Sequence, residues 1–231
     1  MDLSPAYILH RRPYSNTSLL LDIFSLESGR FSAISRGSRA SKGLGNCLQP
    51  FVPLHILWKG RGEVKTLLKY EASGQSLLKQ GELLFCGIYL NELMTRLLSQ
   101  HEAYPDLFAY YSYTLGQLSD AELDKDIVLR YFELQLLQEI GYPVNLQSDA
   151  KGDEISDNKL YDYVPEFGLT VSSASNTSIS GDTLNALNER TLSSQRQRLD
   201  AKRLMRYVLS FYLGDKPLMS RQLFMPLKKQ D

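Results

Sequence analysis

Apolar and polar positions alternate through most of the first 70 residues, the period expected of half-buried strands. Residues 6–12 read as a short strand. Leu19, Leu21 and Ile23 then alternate with Leu20, Asp22 and Phe24 up to a Glu-Ser-Gly turn at residues 27–29. Residues 30–36 form the return strand, with Phe31 and Ala33 on one face. Further on, Val52, Leu54, Ile56 and Trp58 alternate with Pro53, His55 and Leu57, and a Lys-Gly-Arg-Gly turn at residues 59–62 leads into Val64, Thr66, Leu68 and Tyr70. On that last strand Lys65 and Lys69 share the opposite face, with Leu67 between them. Five strands broken by glycine turns suit a small barrel better than an α/β layer.

From about residue 81 the period lengthens. Leu90, Leu93, Met94, Leu97 and Leu98 make the apolar stripe of an amphipathic helix, and a second, tyrosine-rich helix is expected over residues 105–118. A third starts near Asp124 and sets Val128, Phe132, Leu136 and Ile140 on one ridge until Gly141 and Pro143 stop it. Helices resume at residues 182–190 and 194–213. On the last of these, Arg196, Lys202, Arg203 and Arg206 gather opposite Leu204, Val208, Phe211 and Tyr212. The predicted fold class is therefore α+β: a five-stranded barrel domain over residues 1–80 and an α-helical domain over residues 81–231. The helical domain carries an irregular, solvated insert at about residues 145–180, where periodicity is lost.

Charge changes this picture because it is segregated. The net charge is zero, yet residues 1–70 carry a balance of +6, residues 102–166 of −10 and residues 190–229 of +8. Such blocks either present separate electrostatic faces or pair with each other. Acids crowd the start of the third helix at Asp120, Glu122, Asp124 and Asp126, where free backbone N–H groups stabilise them without any metal. The acids of the insert, Asp149, Asp153, Glu154 and Asp157, lack the pattern of a calcium loop.

The stretch from Ser35 to Asn46 holds Arg36, Arg39 and Lys42, with small residues between them and no acid. It reads either as a solvated connection or as a cradle for a polyanion. Arg61, Lys65 and Lys69 add cations to the same domain, so the barrel has the charge pattern of an oligonucleotide-binding (OB) fold. Tyr7, Tyr14 and Phe31 are its stacking candidates. The Arg196–Arg206 face reads as an ordinary wet face, as the partner of the acidic middle block, or as a second nucleic-acid surface. Nucleotide-driven chemistry lacks its phosphate loop. His10, His55 and His101 are isolated, and no metalloprotease or serine-hydrolase motif is present. No catalytic residue and no cofactor are expected. The rival readings are a metal-dependent nuclease using the acids of residues 149–157 and a protein–protein scaffold that binds no DNA.

Cys47 and Cys86 are far apart and form no CxxC pair, so neither a disulfide framework nor a cysteine zinc site is encoded. The first residues lack an export signal, no apolar run approaches a membrane span, and the expected location is the cytoplasm.

Several segments occur in a telling order: Ser-Arg-Gly-Ser-Arg at residues 35–39, Leu-Gln-Pro-Phe at 48–51, Gly-Arg-Gly-Glu-Val-Lys at 60–65, Asn-Glu-Leu at 91–93, Phe-Glu-Leu at 132–134 with Gly141-Tyr142, and Lys-Pro-Leu-Met-Ser-Arg at 216–221. In this order, over nearly the whole chain, the sequence resembles the bacterial RecO family of recombination and repair proteins. The resemblance implies an N-terminal OB-fold and an α-helical domain, binding of single- and double-stranded DNA, and annealing of complementary strands. It also implies work with RecR to load RecA onto DNA coated by the single-stranded-DNA-binding protein, whose acidic C-terminal tail docks on the helical domain. For that tail Arg130, beside Phe132, is the candidate cation, unless it pairs with Asp126 or Glu133 on its own helix. Many members carry two CxxC pairs after the Gly-Tyr segment. This chain has Gln147, Ser148 and Asp149 at the first, and residues 171–175 in the later region contain no cysteine, so no zinc is expected.

Overall fold

The computed structural model describes residues 3–38, 47–78, 81–173 and 177–224. By their contacts these fall into two compact units, one holding the residues up to Asp120 together with those from Leu218 on, the other Ala121–Pro217.

The first unit is built on a closed barrel of β1 (Ser4–Pro13), β2 (Leu19–Ser25), β3 (Gly29–Ser35), β4 (Leu54–Lys59) and β5 (Val64–Ala72), in the order β1-β2-β3-β5-β4. Every pairing is antiparallel except β3 with β5. Alternation places Ile8, Leu21, Ile23, Phe31, Ala33, Leu54 and Ile56 inside, all at most 1% exposed. Leu48 and Val52 plug the barrel from the connection between β3 and β4.

Two bulges reset the alternation. In β1 the register passes from Ile8 opposite Ile23 to His10 opposite Asp22, so Leu9 is extra; its carbonyl accepts from Asn91 Nδ2 at 2.9 Å, and Asn91 Oδ1 accepts from the Tyr111 hydroxyl at 2.6 Å. In β5 the register passes from Lys69 opposite Leu57 to Leu67 opposite Trp58, so Leu68 is extra. Leu67 is therefore buried, while Val64 and Leu68 are exposed, the reverse of the expected pattern.

Asn91 lies on α1 (Gly81–Leu97), whose buried stripe includes Tyr89, Leu90, Leu93 and Met94. α2 (Pro105–Ser119) starts on a proline, the residue whose missing N–H costs nothing at a helix start. Its Phe108 and Tyr111 pack on Tyr7 and Phe24 with ring centroids 5.1–6.4 Å apart, covering one end of the outer barrel surface. A short 3-10 helix, Met219–Phe224, closes this unit; Glu92 accepts from the backbone N–H of Met219 and Ser220, each at 2.8 Å.

Gly29, at the β2–β3 turn, has φ +60, and a methyl group there would sit 1.6 Å from the carbonyl oxygen of Glu102. Gly29→Ala combines left-handed strain with a backbone collision. Its expected cost is about 2–4 kcal/mol, readable as a lowered urea midpoint.

The second unit contains α3 (Lys125–Glu139), β6 (Leu160–Val164), β7 (Gly168–Val171), β8 (Ile179–Ser180), α4 (Gly181–Asn188) and α5 (Gln195–Leu213). Asp124 is the N-cap of α3, its side chain accepting from Asp126 N, and Ser194 with Gln197 forms a capping box on α5. The segment expected to be irregular is ordered in its second half as a three-stranded sheet, β7-β6-β8, with Tyr161, Leu169 and Ile179 buried. Ahead of it, Asn145 and Asp149 accept hydrogen bonds from the backbone two to four residues on, which folds residues 145–153 into side-chain-supported turns. The core ridge of α5 is Ala201, Leu204, Met205, Val208 and Leu209, whereas Phe211, expected inside, is half exposed.

Candidate nucleic-acid interface

Residues paired across neighbouring strands point to the same side of a sheet, so the barrel registers define its outer surface. One outward row runs His10, Asp22, Ser32 and Val64; the next runs Arg12, Leu20, Ile34, Thr66 and Lys59. Leu20, Ile34 and Thr66 are half-buried, whereas Arg12 and Lys59 are exposed at the two ends of their row. The result is a shallow apolar strip ending in cations. Beside it lies a depression of about 190 Å³ lined by His10, Arg12, Leu20, Leu21, Asp22 and Ser32. Asp22 is paired with Arg30 at 3.2 Å; burial lifts its carboxyl above the ordinary range, against the opposing pull of Arg30, His10 and Arg12.

Arg36 is exposed just past β3. Because Ile34 lies opposite Thr66 in the parallel pair, Arg36 leaves the barrel at the level that Lys69 reaches on β5. Arg61 is exposed in the turn before Val64, which pairs with Ser32, so it sits toward the other end of the strands. The bulge at Leu68 also separates the two lysines expected on one face. Lys69 pairs with Leu57 on the outer side, and Lys65 pairs with Ala33, sharing the inward parity. Arg36, Arg61, Lys65 and Lys69 have no carboxylate partner among the described residues. Arg39 and Lys42 lie outside the described residues. Of the aromatic candidates, Tyr7 and Phe31 are core, and only Tyr14, 61% exposed in the β1–β2 turn, presents a free ring face. Sequence reasoning missed Arg12 and Lys59, whose outward direction follows from register.

In the second unit the positive face of α5 meets the acidic start of α3. Lys202 Nζ lies 2.8 Å from Asp126 Oδ1, and Arg198 pairs with Asp124. Arg203 reaches Asp200 at 3.1 Å and donates to the Ser178 carbonyl at 2.8 Å, while Arg196 is 3.7 Å from Asp200. Arg206 is exposed and has no carboxylate partner among the described residues. Of the four cations expected on this face, Lys202 pairs with the acidic middle block, whereas Arg196 and Arg203 pair within α5 itself. Arg130 likewise takes the intrahelical alternative: it is 4% exposed and donates to Glu133, itself 0% exposed, at 2.6 Å.

The acids of residues 149–157 do not converge. Asp149 is buried and supports its turn, Asp157 accepts from Asn185 at 2.7 Å, and no cluster of three potential metal ligands occurs among the described residues. Among those residues no helix is long and apolar enough to cross a membrane.

Three of the segments singled out above, at residues 91–93, 132–134 and 216–221, contribute structural joints. Asn91 holds the β1 bulge, Glu92 caps the helix formed by residues 219–224, and Glu133 receives Arg130. Two family models cover the chain almost end to end, recombination protein O N terminal over residues 1–75 and recombination protein O C terminal over residues 78–222. The chain belongs to the RecO family.

Similar RecO proteins include the DNA repair protein RecO of Methylococcus capsulatus, 43% identical over 96% of this chain and 92% of its own length. Those of Pectobacterium atrosepticum and Pseudomonas paraeruginosa are 42% and 41% identical, over 95% and 96% of the chain and 91% and 94% of their own lengths. RecO membership places the chain among DNA repair and recombination proteins, with an OB-like barrel followed by a helical region.

Proposed function

We propose that this RecO-family chain is a recombination mediator without catalytic activity of its own. It binds single- and double-stranded DNA on the outer face of its barrel and anneals complementary strands. With RecR it helps to load RecA onto DNA coated by the single-stranded-DNA-binding protein. The observation that carries the reading is the barrel surface where Arg12, Lys59, Arg36 and Lys69 border the half-buried Leu20, Ile34 and Thr66, none of the four held in a salt bridge among the described residues. Cations there neutralise phosphates, the apolar strip accepts sugar and base surface, and Tyr14 offers a stacking face. Arg61 adds an exposed cation in the turn before Val64, and Lys65, Arg39 and Lys42 complete the set proposed from the sequence.

Annealing requires two polyanions to be held close together with their base edges free. The second strand meets α5, where Arg206 is available at once. Lys202 and Arg203 reach phosphate only in exchange for Asp126 and Asp200. Asp126→Asn leaves the cap residue Asp124 in place and frees Lys202. It is expected to tighten DNA binding severalfold at low salt, measured by fluorescence anisotropy; unchanged binding would remove Lys202 from the interface.

The acidic tail of the coating protein is received on the helical unit. Arg130 takes part there only by exchanging Glu133 for a tail carboxylate.

The deciding experiment is annealing of complementary oligonucleotides coated by that protein. Wild type accelerates it; Arg36→Ala/Arg39→Ala/Lys42→Ala and Lys202→Ala/Arg203→Ala/Arg206→Ala each slow it. Normal rates in both variants would overturn the reading. Cleavage of DNA on addition of Mg²⁺ or Mn²⁺ would favour the nuclease alternative, and no gel shift at low salt the scaffold.

A further inference from the structure

A second surface of the helical unit is not used by the barrel reading. On α5, Tyr207 and Phe211 are 51% and 50% exposed and stand one turn apart; Arg203 lies one turn before them, so the three share a ridge. The Tyr212 ring stacks on Tyr142 with centroids 4.4 Å apart at 28°, and Phe211 meets Tyr212 edge-on at 5.2 Å. Tyr142 is itself 50% exposed. Tyr163 of β6 shares a hydrogen bond with Tyr212 and has Tyr207 as a neighbour; burial and these two phenols push it up to about 12, so it stays neutral at physiological pH.

In this group of five rings, Tyr142 and Phe211 pack on Tyr212, and Tyr163 bonds Tyr212 with Tyr207 nearby. Four are tyrosines, whose hydroxyl rims tolerate water better than a phenylalanine patch and donate to phosphate oxygens. The adjoining charge is positive: Arg206 is exposed without a carboxylate partner among the described residues, and the Arg203 side chain is 44% exposed even while paired with Asp200.

We propose that Tyr142, Tyr207 and Phe211 form a stacking platform for the unpaired bases of single-stranded DNA, with Arg203 and Arg206 on the adjoining phosphates. The ligand class and the part of Arg203 and Arg206 rest on the DNA-binding reading above, but the aromatic residues and the stacking force do not. Bases in a duplex already stack on each other, so the platform distinguishes single strands from duplex. Stacking releases no counterions, so its contribution survives salt that weakens the barrel contacts.

The test is anisotropy of a labelled oligo-dT and of a blunt duplex, at about 50 mM and about 300 mM salt. It compares full-length wild type, Tyr207→Ala/Phe211→Ala and the barrel variant Arg36→Ala/Lys69→Ala. The replaced aromatic positions are half exposed, and Tyr207→Phe, which keeps the ring, serves as the folded control. At the higher salt the double alanine variant is expected to bind oligo-dT roughly tenfold to a hundredfold more weakly, with duplex binding within about twofold of wild type and Tyr207→Phe near normal. The barrel variant loses low-salt affinity for both ligands but keeps the salt-resistant single-strand component. A weakened aromatic variant beside an unaffected barrel variant would leave the platform standing and sink the barrel reading. Unchanged oligo-dT affinity in the double alanine variant would overturn the platform. That result together with lost binding of a synthetic acidic peptide ending in phenylalanine would make the patch a protein-docking surface instead.

Discussion

Arg130→Ala is expected to destabilise the helical unit by about 3–5 kcal/mol, because it leaves the carboxylate of Glu133 in an apolar interior without its cation. Both partners are almost fully buried, so water cannot take over the lost contact. The pair is not optimally satisfied even in the wild type. Nε and Nη1 of Arg130 make no hydrogen bond among the described residues, so the desolvation of the guanidinium is only partly offset. A second outcome follows from the same physics. Arg130→Met/Glu133→Leu, which removes both charges and keeps the volume, is expected to restore most of the loss or to exceed wild-type stability. Urea unfolding followed by circular dichroism checks both. If the single variant melted like wild type, the burial of this pair would be wrong. The comparison also guards an interpretation: lost tail-peptide binding in Arg130→Ala alone reports unfolding, whereas loss in the stable double variant reports a direct contact.

The second large effect concerns the barrel. Replacing Arg12, Arg36, Lys59 and Lys69 together by alanine removes four exposed cations that form no salt bridge among the described residues. Each phosphate contact to a single strand contributes about 0.7 to the slope of log affinity against log salt, so the slope should fall by about 3 and low-salt affinity by roughly a hundredfold or more. Stability should barely change, since surface substitutions away from caps and networks usually stay within about 0.5 kcal/mol. The same four changes would not alter binding if DNA approached only the helical unit. Anisotropy titrations at four or five salt concentrations separate the two cases.

Both the barrel and the helices were legible in the sequence because each element repeats its period often enough to be recognised. β3 alternates along its whole length, β2 does so from Leu19 to Ile23, and α1 shows its stripe at Leu90, Leu93 and Met94. What escaped has physical causes. A bulge adds one residue and reverses parity, and nothing in the composition around Leu68 announces it; hence Lys65 and Lys69 were assigned to one face. The strands β6, β7 and β8 contain five, four and two residues, too few for alternation to stand out from a polar background.

At the candidate site, the cations could be read from the sequence but not their partners. Arg198 and Asp124 are 74 positions apart, Lys202 and Asp126 are 76 apart, and only the packing of α3 against α5 tells a wet rail from a neutralised one. Arg130 was visible with both alternatives, and burial selected between them. The α5 wheel sets Phe211 on the core side with Leu204 and Val208, and only the folded chain shows it half exposed.

The extra residue at Leu9 also decides which of two adjacent arginines meets solvent on the strip. Past it, Arg12 shares the side of Leu20, while Arg11 lies opposite the buried Leu21 and donates to the Leu48 carbonyl at 3.2 Å. If Leu9 instead paired with Asp22 in an unbroken ladder, Arg11 would take the place of Arg12 opposite Leu20. The composition would be identical, yet a different guanidinium would stand on the strip, so the unpaired place of Leu9 matters to this surface as much as its charge does.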